Sequence, residues 1–239
     1  MNVDLLIVNI GELVTVAGDN GAPRRGAGLR ELGVLHDGAV AVVGREIAAA
    51  GPADSVRAQV SDARRVLDAG GGTLMPGFVD PHTHLVFAGT REHEHALRVG
   101  GATYEEILGA GGGINYTTRL TRAATEEQLF EEAWTHLDTM LLHGTTTAEA
   151  KSGYGLTAES ELKLLHVIRR LDTAHPIELV ATFLGAHLVP AEYRHRPDEY
   201  VTLIIEEMLP QVAREQLAVY CDVWCDEGIF TESQSRRIL

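Results

Sequence analysis

The pattern of apolar and polar positions changes rhythm near Gly71. Before it, residues 5–8, 13–16, 39–43 and 46–50 form short apolar or alternating runs. Glycine-bearing turns split them, as expected of half-buried strands. Asp37-Gly38 reads as a hairpin turn and Gly44-Arg45 as a second turn. A long glycine-rich loop is expected over 18–28. Residues 1–72 are therefore expected to form a partial β-sandwich, with no evident chemistry of its own.

After Gly71 strands alternate with helices. A strand is expected over 73–84, then an amphipathic helix over 125–142 with Thr125 as N-cap and Gln128 completing a capping box. Strand 145–151, helix 157–171 capped by Thr157, and strand 177–187 follow. Helix 198–216, strand 219–225 and a helix from 231 capped by Thr231 end the chain. Such alternation predicts parallel strands joined by right-handed crossovers. Polar clusters fall where the strands end: His82 and His84, then Lys151 and Tyr154, then His187, then Asp226 and Glu227. That is the catalytic face of a (β/α) barrel. The fold class expected is α/β, an incomplete TIM-like (β/α) barrel over 73–239 with about four of the eight units. Because the sequence stops inside a helix, it is expected to be the N-terminal part of a longer protein, truncated at its C-terminus.

Composition narrows the function. The formal net charge is −14, which argues against a nucleic-acid partner bound through its phosphates. No apolar stretch is long enough to cross a membrane, and the N-terminus lacks the charged start and cleavage site of a signal peptide. Cys221 and Cys225 share a strand face but lie too far apart to bridge. They read as two buried thiols in a reducing cytoplasm.

The candidate chemistry centres on Asp80-Pro81-His82-Thr83-His84. Side chains alternate along a strand, so His82 and His84 point the same way and both can reach one metal ion. A bare His-x-His is more often solvated or packed in a core than ligating. Here it ends a buried strand and opens into a polar loop holding Arg91. That Arg91 reads either as a surface residue in the charged run Arg91-Glu92-His93-Glu94-His95 or as a two-pronged carboxylate clamp. Tyr154, between two glycines, reads as a loop tyrosine or as a hydroxyl brought close to a ligand. His187 ends a strand. His36, His93, His95, His136, His143, His166, His175 and His195 read as structural or surface residues. The run Gly111-Gly112-Gly113 lacks the Gly-Lys-Ser/Thr of a phosphate loop and reads as a flexible loop over the pocket.

Four segments carry a family resemblance. They are Pro81-His82-Thr83-His84-Leu85-Val86-Phe87 running on to Arg91; Gly101-Ala102-Thr103-Tyr104-Glu105-Glu106-Ile107 before Gly111-Gly112-Gly113-Ile114; Lys151-Ser152-Gly153-Tyr154-Gly155-Leu156; and Thr182-Phe183-Leu184-Gly185-Ala186-His187. Together they resemble the amidohydrolase superfamily and, within it, the imidazolonepropionase family of histidine degradation. The resemblance implies a TIM-like barrel beside a composite β-sandwich and one divalent metal ion, zinc or iron. It implies hydrolysis of the cyclic amide of imidazolone propanoate to N-formimidoyl-glutamate. It makes His82 and His84 metal ligands, Arg91 and Tyr154 substrate-binding residues, and His187 a catalytic and substrate-binding group that hydrogen-bonds the lactam carbonyl. It places a metal-bridging lysine on barrel strand four. Residues 219–225 hold none and Lys151 ends strand two, so one metal is expected.

Two further ligands that the resemblance implies, a His after strand five and an Asp after strand eight, would lie beyond Leu239. The isolated chain is accordingly expected to be inactive. The partner expected is a small molecule, with no nucleic acid and no membrane, in a cytoplasmic protein for which a homodimer is compatible. A nucleobase aminohydrolase, which would not need Arg91, and a non-catalytic fragment are the alternatives.

Overall fold

The computed structural model describes residues 1–18 and 23–239, without the side chains of Tyr104, Glu105 and Leu108. The chain divides into two compact units, Met1–Pro76 and Gly77–Leu239.

In the first unit β1 (Asn2–Val14) pairs antiparallel with β2 (Val34–Val43), which pairs antiparallel with β3 (Glu46–Pro52). Helix α1 (Ala53–Gln59) returns the chain to β4 (Asp62–Asp68), parallel to β1, and β5 (Thr73–Leu74) adds a short parallel pair. Among the described residues this is one sheet, of order β3-β2-β1-β4. The two strands expected at 5–8 and 13–16 are one, carried across a bulge where the register slips between Ile7 and Ile10. Asp37-Gly38 is not a hairpin turn. It lies inside β2, and the left-handed backbone of Asn9 and Asp37 serves the irregular register instead. Gly44-Arg45 does turn β2 into β3. Ala53 and Val56 of α1 pack on Val3, Leu6, Ala39 and Ala41. The loop expected over 18–28 falls partly on 19–22, outside the described residues, and its far end enters a 3-10 turn, Gly26–Arg30.

In the second unit β6 (Phe78–Thr83), β7 (Thr145–Lys151), β8 (Glu178–Ala186) and β9 (Tyr220–Val223) form a parallel sheet in that order. The strand expected over 73–84 is split: Thr73 and Leu74 pair with β1, and β6 starts past Pro76, whose missing N–H cannot serve a ladder. Between β6 and β7 lie α2 (Glu92–Val99), α3 (Tyr104–Gly109), α4 (Ile114–Ala123) and α5 (Glu126–Leu142). Helix α6 (Ala158–Ala174) links β7 to β8. Helix α7 (Pro197–Leu203), a π turn (Ile204–Met208) and α8 (Leu209–Glu215) link β8 to β9, and α9 (Glu232–Ile238) follows. The π turn comes just before Pro210. That residue has no N–H, and its ring would strike the carbonyl one α-turn back, so the helix widens and Leu209 N–H reaches Ile204 O.

The caps form as expected. Thr125 Oγ1 accepts from Gln128 N–H at 3.2 Å while Gln128 Oε1 accepts from Thr125 N–H at 2.9 Å. Thr231 and Gln234 form the same box on α9, and Thr157 Oγ1 caps α6 by accepting from Ser160 N–H alone. Each such cap is worth about 1 kcal/mol.

Helices and sheet close one core. Ala148 and Ala150 of β7 and Phe183 of β8 meet Leu129, Leu137, Leu164, Leu165, Ile168 and Met208. Each large side chain buried there contributes about 1.5–3 kcal/mol. Alternation along β7 sends Glu149 and Lys151 to the opposite side of the sheet from Ala148 and Ala150. No helix of the described residues is long and apolar enough to cross a membrane.

Candidate active site

The strand ends gather the histidines. His82 is the last residue but one of β6, His84 follows that strand, and His187 follows β8. All three line one cavity of about 440 Å³ with Leu184, Asp222, Val223, Trp224 and Cys225. The His82 and His84 rings meet edge to face with centroids 5.8 Å apart. Those of His84 and His187 stack at 4.5 Å. Tyr154 lies 5.1 Å from His84 and 5.4 Å from His187, ring to ring. Trp224 packs 5.5 Å from His187.

Two carbonyls fix the protons on these rings. Nδ1 of His84 is 3.0 Å from Ser152 O, and Nδ1 of His187 is 2.9 Å from Gly153 O. A carbonyl only accepts, so each Nδ1 is the donor and each neutral ring keeps its lone pair on Nε2. Burial, then the charges of His187 and His82, push His84 down to about 3. Burial likewise lowers His187. Both rings are neutral near pH 7, the form that ligates metals.

Both carbonyls belong to the turn after β7. Gly153 has φ +112, and a Cβ there would lie 2.9 Å from His187 Nδ1. A Cβ on Gly155 would lie 2.6 Å from the backbone of Ser160 and Glu161. Neither position admits a side chain, and Tyr154 between them is held beside the histidines.

Beneath the histidines runs a polar layer. Lys151, its side chain only 5% exposed, pairs through Nζ with Glu149 at 2.9 Å and Asp222 at 3.0 Å. Thr182 Oγ1 donates to Glu149 at 2.6 Å. Burial works against the lysine's charge, but its two carboxylate partners raise its pKa overall. Burial also opposes the charge of Asp222, which hydrogen bonds from Lys151 and the Val223 N–H bring below the usual carboxylate range.

Arg91 is not among the residues that line the cavity. It is exposed, and its backbone carbonyl accepts from Glu94 N–H at the start of α2. Among the described residues no hydrogen bond or ion pair engages its guanidinium. The run around it is not wholly a solvated face, since Glu94 is buried and accepts from Gly113 N–H at 2.7 Å. The glycine run expected to be a flexible loop is thereby tied down, with Gly112 N–H also bonded to Ile107 O.

Cys225 is exposed and lines the cavity, and Cys221 is half-buried, so the expected pair of buried thiols is not found. Burial and then Asp222 push the Cys221 thiol up to about 11. Asp226 and Glu227, expected at the end of the last strand, do not line the cavity. Asp222 and Trp224 do, and nothing but their two-residue spacing could have marked them.

His82 and His84 fit as two imidazole ligands, because they share a cavity and His84 keeps Nε2 free. Among the described residues no group of three or more His, Cys, Asp or Glu could hold an ion.

Comparison with known proteins identifies the class. Residues 65–235, most of the chain, match the model described as "Amidohydrolase family". The chain belongs to that family. It is 51% identical over 231 residues to the imidazolonepropionase of Geobacillus kaustophilus, covering 95% of this chain and 54% of that protein. It is 52% identical over 240 residues to the imidazolonepropionase of Symbiobacterium thermophilum, covering 99% of this chain and 56% of that protein. The chain thus spans just over half the length of these relatives. The solved structure of E. coli guanine deaminase matches with a TM-score of 0.59 at 17% identity, over 98% of this chain and 49% of that one. At that identity the likeness shows the fold alone.

Proposed function

We propose that this chain is the N-terminal part of an imidazolonepropionase, which opens the cyclic amide of imidazolone propanoate by hydrolysis to N-formimidoyl-glutamate. The observation that carries the reading is the identity of 51–52% to two such enzymes across nearly the whole chain. The gathering of His82, His84, Tyr154 and His187 in and around one cavity supports it.

His82 and His84 are the chain's contribution to a divalent metal site, zinc or iron, completed by the remainder of the full-length protein. Such an ion makes water a competent nucleophile at neutral pH. Arg91 receives the propanoate, with a guanidinium that no described residue engages. Tyr154 hydrogen-bonds the substrate through its hydroxyl. His187 acts through Nε2. Because Nδ1–H is committed to Gly153, the neutral ring accepts a hydrogen bond at Nε2 and cannot donate one there. It therefore takes a ring N–H of the lactam or the proton released by the attacking water. Only after gaining a proton does it donate to the developing oxyanion.

The four-stranded sheet is half of the catalytic barrel, and the first unit is one layer of a β-sandwich. Exposed Val34, Ile47 and Val66 suit a sheet that has a further layer to meet. The free thiols Cys221 and Cys225 suit a cytoplasmic protein. A homodimer is the assembly to test.

The deciding experiment is ring opening of imidazolone propanoate by the full-length protein with zinc or iron, alongside guanine as competing substrate. Turnover of the imidazolone that falls with the metal content of His82→Ala and His84→Ala variants supports the reading. Turnover of guanine alone, or full metal occupancy in the double variant by elemental analysis, overturns it.

A further inference from the structure

Glu161 is fully buried, and neither the metal nor the substrate reading uses it. It lies one turn into α6, yet its carboxylate points out of the helix core and back into the turn after β7. Oε2 accepts from Gly153 N–H at 2.9 Å. Oε1 accepts from Gly155 N–H at 2.8 Å and Leu156 N–H at 2.7 Å. The Ser152 hydroxyl is a fourth donor, since its oxygen already accepts from Leu184 N–H. Leu156 holds a left-handed backbone, φ +55, costly for a leucine. Arg122 grips the same turn from the other side, donating to Gly155 O and Leu156 O.

One covalent fact connects this carboxylate to the cavity. The N–H of Gly153 and the C=O of Ser152 belong to a single planar peptide group. Its N–H points to Glu161 and its C=O accepts from His84 Nδ1–H. The next peptide presents Gly153 O to His187 Nδ1–H. We infer that Glu161 is a positioning residue for both cavity histidines: it sets the Ser152–Gly153 peptide directly and, by holding the Gly153 and Gly155 N–H groups on either side, the Gly153–Tyr154 peptide between them. The inference rests on reading His84 as a ligand and His187 as a substrate contact. It is a carboxylate–peptide–imidazole chain, in which the peptide carbonyl holds the histidine directly and the carboxylate holds the peptide from behind. Burial raises the pKa of Glu161, while its hydrogen bonds from Ser152, Leu156, Gly155 and Gly153 work to keep it ionised. In that form the carboxylate polarises the peptide and strengthens its carbonyl as an acceptor.

Glutamine tests this, because it keeps the shape but has one acceptor where the carboxylate has two. If its oxygen retains Gly155 and Leu156, its NH2 confronts Gly153 N–H, donor against donor, and the peptide turns. The experiment uses the full-length protein, stripped of metal with a chelator. In wild type, imidazole 15N spectra should show His84 and His187 with the proton on Nδ1. Glu161→Gln should give mixed tautomers and weaken zinc binding, measured by competition with a chromophoric chelator, by about 10–100-fold at unchanged circular dichroism. Glu161→Asp keeps the charge but reaches less far, and should fall between the two. If the glutamine variant does not fold, the wild-type tautomers and the aspartate variant decide. Nε2–H tautomers in wild type overturn the inference. So do wild-type tautomers and zinc affinity in the folded glutamine variant, or in the aspartate variant where that one decides. Neither readout depends on which cyclic amide is hydrolysed, so failure of the substrate assignment would be seen separately.

Discussion

The imidazole of His84 lies flat against that of His187, with planes 11° apart and centroids 4.5 Å apart. The two rings come from the ends of β6 and β8, across the strand that separates them in the sheet. Stacking at this distance disfavours charge on both rings at once, and burial lowers the pKa of each. The carbonyls of Ser152 and Gly153 each accept a hydrogen bond from one ring's Nδ1–H and leave both lone pairs on the far nitrogens.

Stability should therefore depend on pH in a defined direction. In the unfolded chain His84 takes a proton near 6.5, but in the folded protein only at about 3. Between those values the unfolded state binds more protons, so stability rises with pH across that window. Metal-free protein should lose stability as pH falls from about 6.5 toward 3. Denaturant titrations at a series of pH values would show it, and His84→Gln should flatten the slope. An unchanged slope in that variant would exclude His84 as the source.

Much of the frame is legible along the chain. Thr125 with Gln128, Thr157 and Thr231 announce their helices, because caps are local chemistry. The alternation of strands and helices gives a parallel sheet, and His82, His84 and His187 stand where its strands end. Errors arise where one local signal serves two structures. Asp37-Gly38 supplies left-handed backbone, which a bulge uses as readily as a hairpin turn. Thr73 and Leu74 run straight on toward Phe78, and only tertiary pairing gives them to β1. Glu161 did leave a trace. It occupies the helix face of Leu164, Leu165, Ile168 and Leu171, where a charge has no place unless partners await it. Those partners are backbone N–H groups, which every residue carries, so no side-chain pattern names them.

Arg91→Lys should weaken substrate binding while leaving metal content unchanged. Lysine keeps the charge but loses the paired, planar donors. Losing a charge-assisted hydrogen bond costs about 1.5–3 kcal/mol, hence a rise in KM of roughly 10- to 100-fold. A neutral analogue lacking the carboxylate should respond far less. Equal losses for both compounds would show that Arg91 serves another purpose.

Lys151→Met should destabilise the protein. Its ammonium is the charge that lets Glu149 and Asp222 sit close together. Removing one member of a fully buried ion pair costs about 3–5 kcal/mol. Here the cost should be smaller, because Asp222 is 43% exposed and water screens it. The double variant Lys151→Met, Glu149→Gln should recover part of the loss. Urea denaturation measures both, and a single variant as stable as wild type would refute a structural role for the pairing.

The last prediction concerns residues 1–239 expressed alone. Among the described residues β6 and β9 are the outer strands of the parallel sheet, so each presents unpaired backbone groups along one side. Large apolar side chains sit on and beside these edges in solvent: Phe78 and Val79 are 55% and 65% exposed, Val219 and Tyr220 72% and 63%. Unpaired edges bearing apolar residues recruit other chains. Of the cavity's imidazoles only His82 and His84 are assigned to the metal, where a catalytic zinc site commonly has three protein ligands. Residues 1–239 should therefore self-associate, bind zinc weakly and turn over no imidazolone. A protein as long as the relatives it matches should be of defined size, hold its metal and be active. Light scattering, chelator competition and the ring-opening assay compare the two directly. A compact monomer of residues 1–239 with full activity would refute both the open-edge argument and the assignment of essential ligands to the remainder of the protein.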